Sequence, residues 1–251
     1  MANTNRVDQS LFSETHYLGK PADDNDRIVA RRINILKQFP SFFNKAASLI
    51  EIGCGGGATI TSLANEFRLS LGIDLYDYKQ TFDENLIRFR SQNCSFRQLD
   101  LESVELHEHF DRIISFEVIE HFQQEDTITK FATILNEGGY MAISVPNKWW
   151  IFETHGAKLP FLPWNRVPFF SWLPTPIHER YANARIYTET RIVKLLEKHG
   201  FTVLATRYIT APMDVLKEGR LKKWLTSSIF KNDTTTIPFL STSIFVMAQK
   251  S

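Results

Sequence analysis

The run Leu49-Ile50-Glu51-Ile52-Gly53-Cys54-Gly55-Gly56-Gly57 constrains this chain more than any other stretch: a short apolar segment carrying one acid opens into a glycine cluster, and a helical pattern begins at once. Glycine takes positive φ readily and lets a ligand approach where a Cβ would collide, while the following helix N-terminus presents unpaired N–H groups. The segment therefore reads as a strand, a nucleotide-binding turn and a helix. Gly53-x-Gly55-x-x-Ala58 also satisfies the dinucleotide fingerprint, with Asp74 about twenty residues on to hold ribose hydroxyls. Taken alone, the turn leaves both kinds of nucleotide open.

Glu51 narrows the choice. A pyrophosphate beside this acid would meet a like charge in a partly desolvated pocket, whereas a cationic ligand would be favoured. S-adenosylmethionine has no phosphate and carries both a sulfonium and an ammonium group. The other reading of Glu51 is an acid facing solvent at a strand end.

A chain of 251 residues with 43% hydrophobic content can bury one α/β domain with insertions, and we expect a single domain, 1–251, with a lid. The 29 basic and 28 acidic residues nearly cancel, so bulk charge points to no nucleic-acid partner. Cys54 and Cys94 lack metal-ligand spacing, and Cys54 lies inside the glycine turn, as suits a reduced, cytoplasmic protein. The polar start and the lack of a bilayer-length apolar run argue against a signal peptide or a transmembrane helix.

Periodicity orders the elements. Asp26 is placed to cap a helix with Ile28, Val29, Ile33, Leu36 and Phe39 on one face, a helical cap within 1–44. The core, 45–147, then alternates strands at 48–52, 69–74, 95–99, 110–116 and 140–145 with helices, one of them carrying Ile128, Phe131, Ala132 and Leu135 and stopped by Gly138-Gly139. Such alternation implies a parallel sheet with helices on both faces and ligands at the carboxyl ends of the strands, where Glu51, Asp74, Asp100 and Glu117 all fall. Residues 148–184 follow as an insertion, and 185–251 hold a helix capped by Thr188 and a closing pair of strands, 201–209 and 237–248.

With these pieces in order, the chain resembles the class I S-adenosylmethionine-dependent methyltransferases, of the type 11/12 kind, over residues 45–150. The glycine motif is similar to Glu51-Ile-Gly53-Cys-Gly55-Gly-Gly57, the ribose acid to Asp74 in Gly72-Ile-Asp74-Leu75, and the adenine-contacting acid to Asp100 in Gln98-Leu99-Asp100-Leu101. The fourth-strand motif resembles Phe110-Asp111 through Phe116-Glu117-Val-Ile-Glu120-His121, and the fifth begins at Gly138-Gly139 and ends at Pro146-Asn147. The resemblance implies a Rossmann-like fold with a mostly parallel, seven-stranded sheet. It also implies S-adenosylmethionine as cofactor, held by Glu51, Gly53, Cys54, Gly55, Gly57, Asp74, Leu75, Asp100, Leu101, Phe116 and Glu117.

Methyl transfer from a sulfonium expels an uncharged leaving group, so catalysis can rest on alignment in a dry site unless the acceptor is an un-ionised hydroxyl. That case directs attention to Glu120, His121, His155, His178 and Tyr181. Glu117-x-x-Glu120-His121 resembles the metal-binding element of quinone-biosynthesis O-methyltransferases, which implies a divalent ion such as magnesium on Glu117, Glu120 and His121, completed by His178 or His155. The other reading makes His121 a residue of the cofactor pocket with no metal.

The stretch 148–181 holds Trp149, Trp150, Trp164 and Trp172 with Phe152, Phe161, Phe169 and Phe170, broken by prolines. Following the fifth strand directly, it is expected to cover the acceptor; a membrane-surface contact or a subunit interface, a homodimer included, is the competing use. We expect a methyltransferase acting on a small, partly apolar acceptor, most readily at oxygen. Transfer to nitrogen or carbon, a non-catalytic cofactor-binding subunit and an NAD-dependent oxidoreductase are the alternatives.

Overall fold

The computed structural model describes residues 27–153, 155, 157, 168–214, 216 and 219–251. Asp26, Lys158, Phe161, Trp164 and Arg166 lie outside the described residues.

Helix α1 (Arg27–Leu36) precedes β1 (Ser48–Ile52), and α2 (Ala58–Leu63), β2 (Leu69–Asp74), α3 (Lys79–Phe89), β3 (Cys94–Gln98) and β4 (Phe110–Phe116) follow. Next come α4 (Thr129–Ile134), β5 (Leu135–Pro146), α5 (Thr175–Tyr181), α6 (Glu189–Lys198), β6 (Phe201–Thr210), α7 (Arg220–Ser227), β7 (Thr234–Thr235) and β8 (Ser241–Lys250). The sheet order is β3-β2-β1-β4-β5-β8-β6-β7. The first five strands pair in parallel, and β8 runs antiparallel to both β5 and β6.

The chain moves outward from β1 to β2 and β3 and then returns to β4 on the other side of β1, which opens a crevice at the carboxyl ends of β1 and β4. Adjacent residues of one strand feed opposite layers. Leu49 packs with Ile35, Ile60 and Phe82 from α1, α2 and α3, whereas Ile50 packs with Phe131, Leu195 and Leu196 from α4 and α6. Both faces of β1 are buried, which is why its sequence is apolar except for Ser48 at its start and Glu51.

The architecture departs from expectation in three places. The sheet has eight strands, because Thr234–Thr235 adds β7 beside Tyr208 and Ile209. Helix α4 ends at Ile134, and Leu135 already pairs with Phe110; the Gly138-Gly139 pair lies inside β5, where the register with β4 shifts between Phe110 and Arg112. Apolar Leu135 fits the buried strand as well as the helix face, so periodicity alone misplaces it. The last strand starts at Ser241, since Pro238 opens a helical turn and has no N–H to give a ladder. Thr188 caps α6 as expected, its side chain accepting from the Arg191 N–H.

The turn after β1 depends on Gly57, which caps α2 at φ +79°. A Cβ there would sit 2.4 Å from a ring carbon of Phe82, which is fully buried under β1 and β2. Gly57→Ala is expected to lower the free energy of unfolding by about 2–4 kcal/mol through left-handed strain and displacement of that ring. Urea denaturation reads this loss directly, and an unchanged midpoint would show that the turn relaxes freely.

Candidate active site

A cavity of about 430 Å³ opens at the carboxyl ends of β1, β2 and β4. Every residue expected to hold the cofactor lines it except Gly57, whose role is the packing on Phe82. Gly53, at φ +72°, lies against Val118, so close that a Cβ would approach Val118 Cγ2 to 2.3 Å.

The acids divide their tasks. Glu51 is buried and accepts the Ile60 N–H at 2.9 Å, inside the first turn of α2, while still reaching the cavity wall. Burial raises its pKa to about 8, against the lowering from the Ile60 N–H and Arg32. Asp74 accepts from Gly55 N–H at 2.8 Å and Tyr76 N–H at 3.0 Å, so the acid at the end of β2 holds the glycine turn after β1. Burial raises its pKa too, opposed by those N–H groups. Asp100 shapes its own loop, accepting from Glu102 N–H at 2.9 Å and Ser103 Oγ–H at 2.8 Å.

Glu117 stands apart from the metal set in which the sequence places it. It follows β4 at φ +58°, unusual for a residue with a side chain, and its N–H donates to the Ser144 carbonyl at 2.9 Å. Its carboxylate accepts from Ser144 Oγ–H at 2.9 Å and lies 3.4 Å from Arg32. That corner turns the chain so that Ile119–His121 forms one helical turn beneath the cavity.

Glu120, on this turn, is completely buried, and neither carboxylate oxygen has a hydrogen-bond partner. Its Oε1 lies 3.9 Å from His121 Nε2 and 3.5 Å from His155 Nε2. Burial and the nearby Glu117 drive the Glu120 pKa well above the ordinary carboxylate value. Burial, with His155 and Arg185 adding to it, drives His121 well below the ordinary imidazole value. Arg185, itself buried, supports the turn from behind, donating to the carbonyls of Phe122 and of Gln123, the latter at 2.8 Å.

Among the histidines, His121 and His155 line the cavity, their rings edge to face with centroids 5.0 Å apart. His178 does not line it: it is fully buried against Glu153, Nε2 to Oε2 2.6 Å, under the Phe170 ring. The pair holds α5 to the segment after β5, and Tyr181 packs beside Phe170 and Ala182. His199 bonds Thr129 Oγ1 and Asp126 at the end of α6, away from the cavity.

Sequence reasoning missed the contribution of α1. Val29 and Arg32 line the cavity, and Arg32 is buried with its guanidinium carbon 5.5 Å from the centre of the Phe116 ring and its Nε unpartnered. Burial lowers its pKa against the opposing pull of Glu117. The available signal was a charged residue on the helical stripe that also carries Val29 and Leu36. Tyr76, Tyr78 and Asn183 were missed as well.

A family model described as a methyltransferase domain matches residues 23–206. No curated protein sequence matches. Among solved structures, an S-adenosylmethionine-dependent methyltransferase from Listeria monocytogenes, so named provisionally, is 16% identical at TM-score 0.58, covering 89% of this chain and 98% of its own. Coclaurine N-methyltransferase bound to N-methylheliamine and S-adenosylhomocysteine is 14% identical at TM-score 0.57, over 87% and 70% of the two chains. The Burkholderia thailandensis 1,6-didemethyltoxoflavin-N1-methyltransferase, with bound 1,6-didemethyltoxoflavin and S-adenosylhomocysteine, is 15% identical at TM-score 0.57, over 90% and 80%.

Proposed function

This chain belongs to the methyltransferase-domain family and has the fold of S-adenosylmethionine-dependent methyltransferases, and from that premise we propose that it moves the cofactor's methyl group to a hydroxyl oxygen of a small, partly apolar acceptor. Glu120 carries this reading: a fully buried carboxyl group with two unpartnered oxygens, set behind His121 and His155, which line the cofactor cavity. A buried acceptor group left unpaired costs about 1–3 kcal/mol or more, which a polar ligand at this point would recover.

In this reading the cofactor lies across the glycine turn. Asp74 takes the ribose hydroxyls and Asp100, with the Leu101 N–H, the adenine. Arg32, with an unpartnered Nε, takes the carboxylate of the methionine part, and Glu51 favours the cationic part. Cys54, Leu75 and Phe116 supply the walls, and Gly53 and Gly55 leave room for the backbone approach.

Glu51 gives this assignment a pH signature. With its pKa raised to about 8, the buried acid keeps its proton at neutral pH, and its contribution to stability fades as pH rises through that value. A sulfonium selects the ionised form, whereas the neutral sulfur of S-adenosylhomocysteine does not. The ratio of affinities for the two is therefore expected to rise about tenfold between about pH 6 and 8 and then level off. Isothermal titration across that range checks it: Glu51→Gln should flatten the ratio, and a wild-type ratio independent of pH would remove Glu51 from this role.

The acceptor would enter from the side of His121, His155 and Asn183. A hydroxyl there finds a neutral imidazole to accept its proton, with the Glu120 carboxyl group beside that ring. The same residues fit a divalent cation: Glu120, His121 and His155 each offer one ligand atom, all within 4.8 Å of one another. Those three residues, and not Glu117, would hold the ion, which when bound acidifies a coordinated hydroxyl. Chelation is then expected to stop turnover and added magnesium to restore it, while thermal stabilisation by S-adenosylhomocysteine persists. Full activity in chelator would leave the histidines as the sole proton acceptors.

Transfer to nitrogen is the second reading, favoured by the N-methyltransferases of like fold and by the fact that an amine needs less help with its proton. It leaves the buried, unpartnered Glu120 without a use.

A further inference from the structure

Beside the buried Trp150 and Phe170, other rings of the aromatic insertion stay exposed. Trp149, Phe169, Trp172 and Phe239 form one linked cluster, with ring centroids 6.2, 5.4 and 4.9 Å apart from Trp149 through Phe239 and Trp172 to Phe169, and all four are exposed, Phe169 at 53%. Helix α7 (Arg220–Ser227) stands beside them and contains no buried residue. Its inner edge rests on the small cluster of Trp150, Ala211 and Phe230 through Leu225, together with Leu240, the chain neighbour of Phe239. Its outer face turns Leu221, 64% exposed, and Trp224, 57% exposed, to solvent at i, i+3 spacing.

The helix and the turn after it bring bases to this face. Residues 220–231 carry Arg220, Lys222, Lys223 and Lys231 and no acid. A second copy of the chain meeting the same face about a twofold axis would set these bases against their own images, a like-charge contact. An anionic bilayer answers both halves of the pattern: aromatic rings seat at the headgroup level, and lysine and arginine stems lie along apolar surface with their charges among lipid phosphates.

We propose that α7 and the Trp149–Phe239–Trp172–Phe169 cluster form one docking surface for an anionic membrane interface. The surface lies beside the segment after β5 that contributes His155 to the cavity wall, so a docked molecule would present its acceptor side near the lipid. The inference concerns lipid binding alone and stands whichever atom of the acceptor is methylated.

The test is co-sedimentation of the 251-residue chain with vesicles of phosphatidylcholine alone or with about a third phosphatidylserine, alongside gel filtration. The expected result is binding to the anionic vesicles, reversed by salt, with a blue shift of tryptophan emission. Leu221→Ser with Trp224→Ser should weaken partitioning about tenfold or more, and Lys223→Glu about fivefold or more. Both variants should keep the wild-type thermal shift with S-adenosylhomocysteine, which separates lost docking from lost folding. No binding to either vesicle, binding unaltered by both variants, or a dimer in solution that Leu221→Ser with Trp224→Ser converts to monomer would each overturn the proposal.

Discussion

Asp74→Ala is expected to lower affinity for S-adenosylmethionine and S-adenosylhomocysteine alike, by about a hundredfold to a thousandfold. Two charge-assisted hydrogen bonds to ribose hydroxyls are together worth about 3–5 kcal/mol. The substitution also frees the Gly55 and Tyr76 N–H groups, which the carboxylate now accepts at 2.8 and 3.0 Å, so the glycine turn loses its brace from β2. Asp74→Asn keeps the shape and one acceptor and should fall between wild type and alanine. Isothermal titration reads both constants. A loss confined to the sulfonium cofactor, with S-adenosylhomocysteine unaffected, would place Asp74 near the sulfur instead of the ribose.

Substitutions at the buried triad are expected to act on turnover and leave the cofactor alone. Glu120→Gln preserves volume and removes the ionisable carboxyl group; His121→Ala removes a ring from the cavity wall. Each should reduce kcat by about a hundredfold to ten-thousandfold, the range general acid–base groups supply. The double variant should be little worse than the worse single one, since groups acting as a unit are not additive. Thermal stabilisation by S-adenosylhomocysteine should stay near wild type for Glu120→Gln, because Glu120, unlike His121, does not line the cofactor cavity. Additive losses would argue for two independent roles, and a loss of cofactor binding equal to the loss of rate would reduce the triad to support for the turn.

The parts of this architecture that depend on local pattern were open to reading from residues. The apolar run into the glycine cluster set β1 and its turn, and acids closing successive strands marked the crevice, since a parallel sheet brings all its carboxyl ends to one edge. Thr188 announced α6 because an N-cap satisfies its own helix. What escaped depends on distant contacts. Leu135 is apolar enough for helix or strand, and only its pairing with Phe110 decides. His155 and His178 look alike in the chain; a partner at position 153 draws one into the core, while the other meets Glu120 across the fold. Glu117 was grouped with Glu120 by spacing, yet the left-handed corner at φ +58° turns it toward Arg32 and Ser144. Arg32 was hidden because a buried arginine is legible only once its carboxylate and its ring, Glu117 and Phe116, are seen beside it.

Arg31, next to it, shows the same logic used for structure. Its guanidinium donates to the carbonyls of Thr210 and Ala211, and of Phe230, tying α1 to the end of β6. Burial brings its pKa down to about 10, so the charge persists at neutral pH. Two adjacent arginines thus serve different ends, one closing the fold and the other facing the cofactor cavity.

The most direct test of the account is the atom that receives the methyl group. Incubation of the protein and of Glu120→Gln with isotopically labelled S-adenosylmethionine and small-molecule extract, followed by mass spectrometry and carbon NMR of the labelled product, reads that atom. The expected result is an O-methyl product from the wild type that falls by at least about a hundredfold with Glu120→Gln. A methyl group found on nitrogen or carbon, or an O-methyl product formed equally well by Glu120→Gln, would contradict it.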